Sequence, residues 1–195
     1  LANPISISVD DRWSNSISIP FSSGFCFYGT TYTSFVVGSN GMISFDASRL
    51  ASTPTGYDIT DATNNIPTNI NTETGTSEYY FGPSIHGVHH DINPAVGGEV
   101  GWELITLETG CRAIVISWNN IPMFDNNSIQ YTGMIVLYEN TNIIEVYVKE
   151  KQLDFDGTTY WNDGNAILGI QKNATEGVVP TGRNSNDGTP GWTAT

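Results

Sequence analysis

The chain has 195 residues and a mass of 21.2 kDa, enough for one domain with a sizeable core, yet only 14% of it is charged. Twenty acidic residues against seven basic ones give a formal charge of −13, which excludes the basic footprint that nucleic acid requires and disfavours anionic membrane surfaces. No apolar run approaches the ~20 residues of a membrane span, and no basic segment with an apolar core opens the chain, so residue 1 reads as a mature or trimmed start.

Strand signals dominate in chain order. Ile5, Ile7 and Val9 alternate with serines, an N-terminal arm within residues 1–14, and Ser16 to Ile19 repeat the pattern before Pro20. Phe25 to Tyr28 form a short apolar run closed by Gly29, and Tyr32 to Val37 form a second. Asn40-Gly41 then separates that run from Met42 to Phe45. Asn-Gly between two such runs predicts a hairpin with a type I′ turn, which needs positive φ at both central residues. Residues 47–78 hold few large apolar side chains and are too long for an ordinary connection, so a surface excursion with one short helical turn is expected.

Strands resume at Tyr79 to Phe81, Ile85 to Ile92 and Gly98 to Ile105. Cys111 to Trp118 is apolar on both faces as far as Ser117, which places it centrally in a sheet. Ile129 to Glu139 and Asn142 to Lys149 read as a pair joined at Asn140-Thr141, with Ile144, Val146 and Val148 inward and Glu145 and Lys149 outward. Asn165 to Gln171 is a further strand, and the tail after Pro180 is expected to wrap the surface. No helical period of useful length appears. The fold class is therefore all-β: a single antiparallel sandwich, jelly-roll or Ig-like, spanning 1–195 with little helix.

Few residues carry chemistry. In an unbroken strand His86 would share a face with His90, and His89 with Asp91, a pair that could ligate zinc only with help from elsewhere. Asp154-Phe155-Asp156-Gly157 followed by Asp163-Gly164 offers carboxylates on glycine-hinged turns, which suits calcium, although Asp-Gly turns joining strands look the same. There is no Gly-x-Ser-x-Gly elbow. Glu99, Glu103 and Glu145 are the acids a glycan hydrolase could use, but exposed strand glutamates are far commoner than catalytic ones. Trp13, Trp161 and Trp192 lie in polar contexts where a ring face could pack on a sugar; Trp161, flanked by Tyr160 and Asn162 beside the acidic loop, is the best placed. Trp102 and Trp118 read as core. Spacing leaves Cys26 and Cys111 open between two thiols and a bridge, which would close a loop of about 85 residues and contribute about 4 kcal/mol.

Several runs together resemble a known family. They include Phe25-Cys26-Phe27-Tyr28-Gly29, Val36 to Phe45 through Ser39-Asn40-Gly41, and Gly87-Val88-His89-His90-Asp91-Ile92-Asn93-Pro94. Ser117-Trp118-Asn119-Asn120-Ile121-Pro122 and Asn165 to Gln171 complete the set. The set resembles a β-rich module of large surface proteins secreted by the type IX system of gliding Bacteroidota; the Ser-Asn-Gly hairpin is also similar to nidogen-like extracellular domains. The resemblance implies a cell-surface location, a role in gliding or adhesion, and a Cys26–Cys111 disulfide, because two further cysteines of related modules are absent here.

These readings lead to a non-catalytic extracellular module that presents loops 47–78 and 150–164 to a glycan or a surface protein. The alternative is a fibre or sheath subunit that self-associates by donating the Ile5 to Val9 arm to a neighbour's sheet edge.

Overall fold

The computed structural model describes residues 2–7, 9–57, 66–67, 82–108, 110–151 and 166–181. Along them run β1 (Asn3–Pro4), β2 (Ile17–Ser18), β3 (Phe25–Phe27), β4 (Thr30–Tyr32), β5 (Ser34–Gly38) and β6 (Met42–Ser44). After α1 (Ala47–Leu50) come β7 (Ser84–His89), β8 (Glu99–Thr106), β9 (Arg112–Pro122), β10 (Gln130–Tyr138), β11 (Ile144–Lys151), β12 (Ile167–Asn173) and β13 (Glu176–Val178). One antiparallel sheet has the order β1-β8-β9-β10-β11; a second has the order β13-β12-β7-β6-β5-β2; β3 and β4 form a separate hairpin. The all-β sandwich holds, and the only helix among the described residues is the single turn α1 inside the 47–78 excursion.

The core sits between the two larger sheets. From β9 come Ile114, Ile116 and Trp118, and from the facing sheet Val37, Ile43 and Ile85, all fully buried. Such side chains each contribute roughly 1.5–3 kcal/mol on leaving water. β9 lies between β8 and β10, as its two apolar faces require. Trp118 also ties the layers: its indole N–H donates to the Gly38 carbonyl at 3.0 Å. A smaller cluster of Trp13, Val36, Met42, Ala47 and Leu50 covers the other face of the six-stranded sheet. Trp13 is 2% exposed there, so it is a core side chain and not a sugar platform.

Two turns differ from expectation. Gly38 pairs with Met42, so the β5–β6 loop has three residues, Ser39-Asn40-Gly41, and of these only Gly41 has positive φ, at +83°. This matches the three-residue hairpin with a left-handed glycine, not a type I′ turn. The reason is that Asn40 is fully buried and its side chain serves a polar network. Gly41 is required on steric grounds too, since a Cβ there would strike the Val88 carbonyl. The turn with both central φ positive lies instead at Tyr28 (+48°) and Gly29 (+80°), where Phe27 pairs with Thr30.

Register shifts break the alternation of side chains in β7, β9, β11 and β12, and those in β7 and β11 bear on the site described below. In β7, Ile167 of β12 faces His89 while Gly169 faces His86, so β7 carries an extra residue. There Gly87 and Val88 both donate N–H to the Gly41 carbonyl. In β11, Gly133 faces Val148 and Thr132 faces Glu150, which leaves Lys149 as the extra residue.

The disulfide is a correction: Cys26 and Cys111 are not bonded to each other. Phe25 and Phe27 point inward, so alternation turns Cys26 out to solvent. Cys111 stands just before β9, its carbonyl accepting the Leu107 N–H at 2.8 Å. The N-terminal arm is engaged with its own sheet: β1 pairs with β8, Ile5 N–H donates to the Val100 carbonyl at 2.8 Å, and Ile7 enters the core.

Candidate functional site

Among the described residues the most polar interior lies on the outer side of the six-stranded sheet, where residues 53–56 fold back over it. His86 pairs opposite Met42, a residue of the outer cluster. The β7 bulge then brings His89 to the same side, and the two Nδ1 atoms meet at 3.3 Å. Unbroken alternation would have set His86 with His90 and His89 with Asp91. Ser84 Oγ lies 3.1 Å from His86 Nε2, and His89 Nε2 lies 3.0 Å from the Gly56 carbonyl. Because a carbonyl only accepts, His89 carries its proton on Nε2 and offers a bare Nδ1 to the Nδ1–H of His86. Ser84 then donates to His86 Nε2. Both rings are therefore neutral, and burial draws both below the ordinary histidine range, His89 to about 4.

Asn40 continues the chain. Its Nδ2 donates to the same Gly56 carbonyl at 2.9 Å and to Asp11 Oδ1 at 2.8 Å, while its Oδ1 accepts the Ile92 N–H at 3.3 Å. One fully buried amide thus joins the excursion, the N-terminal segment and the chain after β7. Asn40→Ala removes these donors and leaves the Ile92 N–H orphaned. The expected loss is about 2–4 kcal/mol, read as a lower urea midpoint with an unchanged slope.

The network ends in an acidic cluster. Single carboxylate oxygens of Asp10, Asp11 and Asp91 lie within 4.8 Å of one another. Asn93 Nδ2 donates to Asp10 Oδ2 at 2.9 Å. Burial, helped by the charge of Asp11, pushes Asp10 up to about 6, and burial raises Asp11 against the Asn40 hydrogen bond. Oxygens at this spacing can surround one hard divalent cation, whose ligands stand 2.3–2.6 Å away in calcium sites. Sequence reading misses this group because Asp91 lies 81 residues beyond Asp10 and alternation pairs it only with His89.

His90 points the other way, into the core, where its ring meets that of Tyr131 edge-on at 4.8 Å between centroids. Its Nδ1 faces the Val88 carbonyl at 2.8 Å, and its Nε2 and the Tyr131 hydroxyl are buried without hydrogen-bond partners. Beyond its bulge β11 sets Lys151 opposite Tyr131, and desolvation draws the amine down to about 8. Burial, then the Lys151 charge, hold His90 well below the usual range.

The sequence-predicted sites fall differently. Asp154, Asp156 and Asp163, with Tyr160, Trp161 and Asn162, lie outside the described residues, as does Trp192. Among the described residues Glu145 meets two tyrosines and no second acid: its Oε2 accepts the hydroxyls of Tyr138 and Tyr147, each at 2.6 Å. Those two bonds hold Glu145 below its usual range and push Tyr138 up to about 12.

Among the described residues no helix is long and apolar enough to cross a membrane. A family model described as NIDO related matches residues 2–193. No curated protein and no solved structure matches the chain.

Proposed function

The chain belongs to the nidogen-related family, a kind of extracellular module, and from that premise we propose that it is a non-catalytic cell-surface domain for adhesion or surface assembly. Its ligand would be a glycan or a surface protein met by the loops at the ends of the sandwich. Membership over residues 2–193 carries this reading. The acidic, lysine-poor composition supports it, since such a surface stays soluble and resists indiscriminate binding. The likeness to surface proteins of gliding Bacteroidota gives the finer version: a module carried in a type IX secreted adhesin. The engagement of Glu145 with two tyrosines speaks against a carboxylate pair at β11. The strand-donation alternative loses weight because the Ile5 to Val9 segment already serves its own β8 and core through Ile5 and Ile7.

The test is binding of the purified chain to a broad glycan array in calcium buffer and again in EDTA. Selective binding in either buffer supports the adhesin. Loss in EDTA directs attention to the Asp10, Asp11 and Asp91 oxygens and to Asp154, Asp156 and Asp163. Absence of any glycan binding, together with no capture of outer-surface proteins, removes the loop-presenting reading.

A further inference from the structure

We propose that the outer face of the five-stranded sheet takes an extended basic segment of a partner protein, with one lysine or arginine side chain at Glu145 and a second at Glu103. The reading above supplies only the setting, an extracellular protein partner. The site lies on a sheet face and not on the loops, so the glycan test and the one below fail separately. Strand register defines it. Glu103 stands opposite Val115, Val115 opposite Val136, and Val136 opposite Glu145, one row across β8, β9, β10 and β11. The register shifts of these strands, between Tyr131 and Gly133, fall outside the row. Its residues alternate with Ile114, Ile135 and Leu137 of the inter-sheet core, so they look outward. Neighbouring strands lie ~4.8 Å apart, which sets the two acids about 14 Å apart at the backbone with two valines between them.

Exposed sheet faces ordinarily mix charges of both signs, but this row has an acid at each end and no base between. Glu145 is also prepared for a cation. Both tyrosine hydroxyls go to Oε2, so among the described residues Oε1 accepts nothing and the carboxylate makes no ion pair. Two donors fix its orientation before a ligand arrives, which lowers the cost of ordering on binding, and they keep it ionised. Tyr147, 46% exposed, offers ring surface next to the open oxygen, and a cation is drawn to a tyrosine face as well as to a carboxylate. An anionic ligand is repelled by both acids and by the −13 of the chain; a neutral sugar makes no use of these charges. A basic ligand uses the carboxylates, the ring and the long-range attraction together. One ammonium group fills only one end of the row. An extended segment rises ~3.3 Å per residue and returns side chains to the same face at every second position. Basic residues four apart therefore stand about 13 Å apart and match both acids, with their methylene stems lying along the valines.

The test titrates the full chain into a dye-labelled peptide, Lys-Thr-Thr-Thr-Lys, and follows fluorescence anisotropy at low and high salt. A peptide of the same composition with its two lysines adjacent controls for charge alone. The spaced peptide is expected to bind several-fold more tightly than the adjacent one, and less tightly as salt rises. Glu145→Gln and Glu103→Gln, both surface changes, should each weaken it about fivefold. Glu108→Gln, an exposed acid in the β8–β9 turn and off the row, removes the same charge and should leave binding unchanged. Absence of binding at low salt overturns the proposal. So does equal binding of the two peptides, or a loss on Glu108→Gln as large as that on Glu145→Gln, since either means attraction to the whole negative chain and not to this row. Binding of spermine with no binding of the spaced peptide assigns the face to a free amine and overturns the protein partner.

Discussion

Lowering the pH from 7.5 to 5 is expected to destabilise this protein by about 5 kcal/mol, before most of its carboxylates titrate. Three histidines are buried and neutral, with folded pKa values below the ordinary 6.5, about 4 for His89. The unfolded chain therefore binds more protons than the folded one below 6.5. Stability is fully present above that pH, begins to fall at 6.5, and goes on falling until each folded value is reached. At pH 5 an imidazole that stays neutral in the fold costs about 2 kcal/mol, since a unit of difference is worth about 1.4 kcal/mol. Asp10 works in the opposite sense: raised to about 6, it takes up a proton in the folded state first and adds stability as pH falls through that value. Asp10 is half open to solvent, which limits the offset to about 1 kcal/mol or less. Glu139 and Glu145 are held low by the Arg112 guanidinium and by tyrosine hydroxyls, so their loss begins only at lower pH. In a chain of this length the melting temperature should drop by roughly 10–20 °C between pH 7.5 and 5. His89→Gln keeps a donor for Gly56 and should remove about one proton from the slope. A melting temperature that stays flat over this interval would show that the imidazoles are hydrated, not buried.

Most of the fold was legible because strand periodicity and turn residues act locally. The β10–β11 hairpin and the central place of β9 follow from alternation and from apolarity on both faces. The polar site was not legible, for two physical reasons. A bulge shifts the side-chain phase by one residue, and the β7 bulge is marked in the sequence only by an isolated glycine, Gly87, within the strand. That shift puts His86 beside His89 and sends His90 inward to Tyr131. The second reason is distance in sequence. Asn40 looks like an ordinary Asn-Gly turn residue until Gly56, Ile92 and Asp11 close around it. A hint was available: an Asn at a hairpin is usually exposed, but this one lies between runs that are apolar on both sides. The Cys26–Cys111 pairing came from family likeness alone, and the outward phase of Cys26 between two inward phenylalanines already argued against it.

Replacing Trp118 should be the most damaging single truncation in the core. The side chain is fully buried at the centre of β9, and it lies across from Gly133, where a Cβ would strike the Tyr131 ring. Truncation to alanine removes a large apolar volume from a site walled by rigid strands, where collapse is limited, and such changes cost about 3–5 kcal/mol. It also strips the Gly38 carbonyl of the indole N–H that reaches it from the opposite sheet. A buried acceptor left unsatisfied adds about 1–3 kcal/mol. Gly38 sits where β5 turns into the Ser39-Asn40-Gly41 loop and bridges to Trp13, so the loss is transmitted toward the polar network. Trp118→Ala should therefore cost about 5 kcal/mol, enough to unfold a domain of ordinary stability at 37 °C. Trp118→Phe keeps most of the volume but not the donor, and should cost about half as much. Urea unfolding of the two variants separates packing from the hydrogen bond. A near-zero loss for Trp118→Phe would mean that the indole N–H contributes nothing across the layers. A loss below ~2 kcal/mol for Trp118→Ala would mean that the sheets are not joined at this residue.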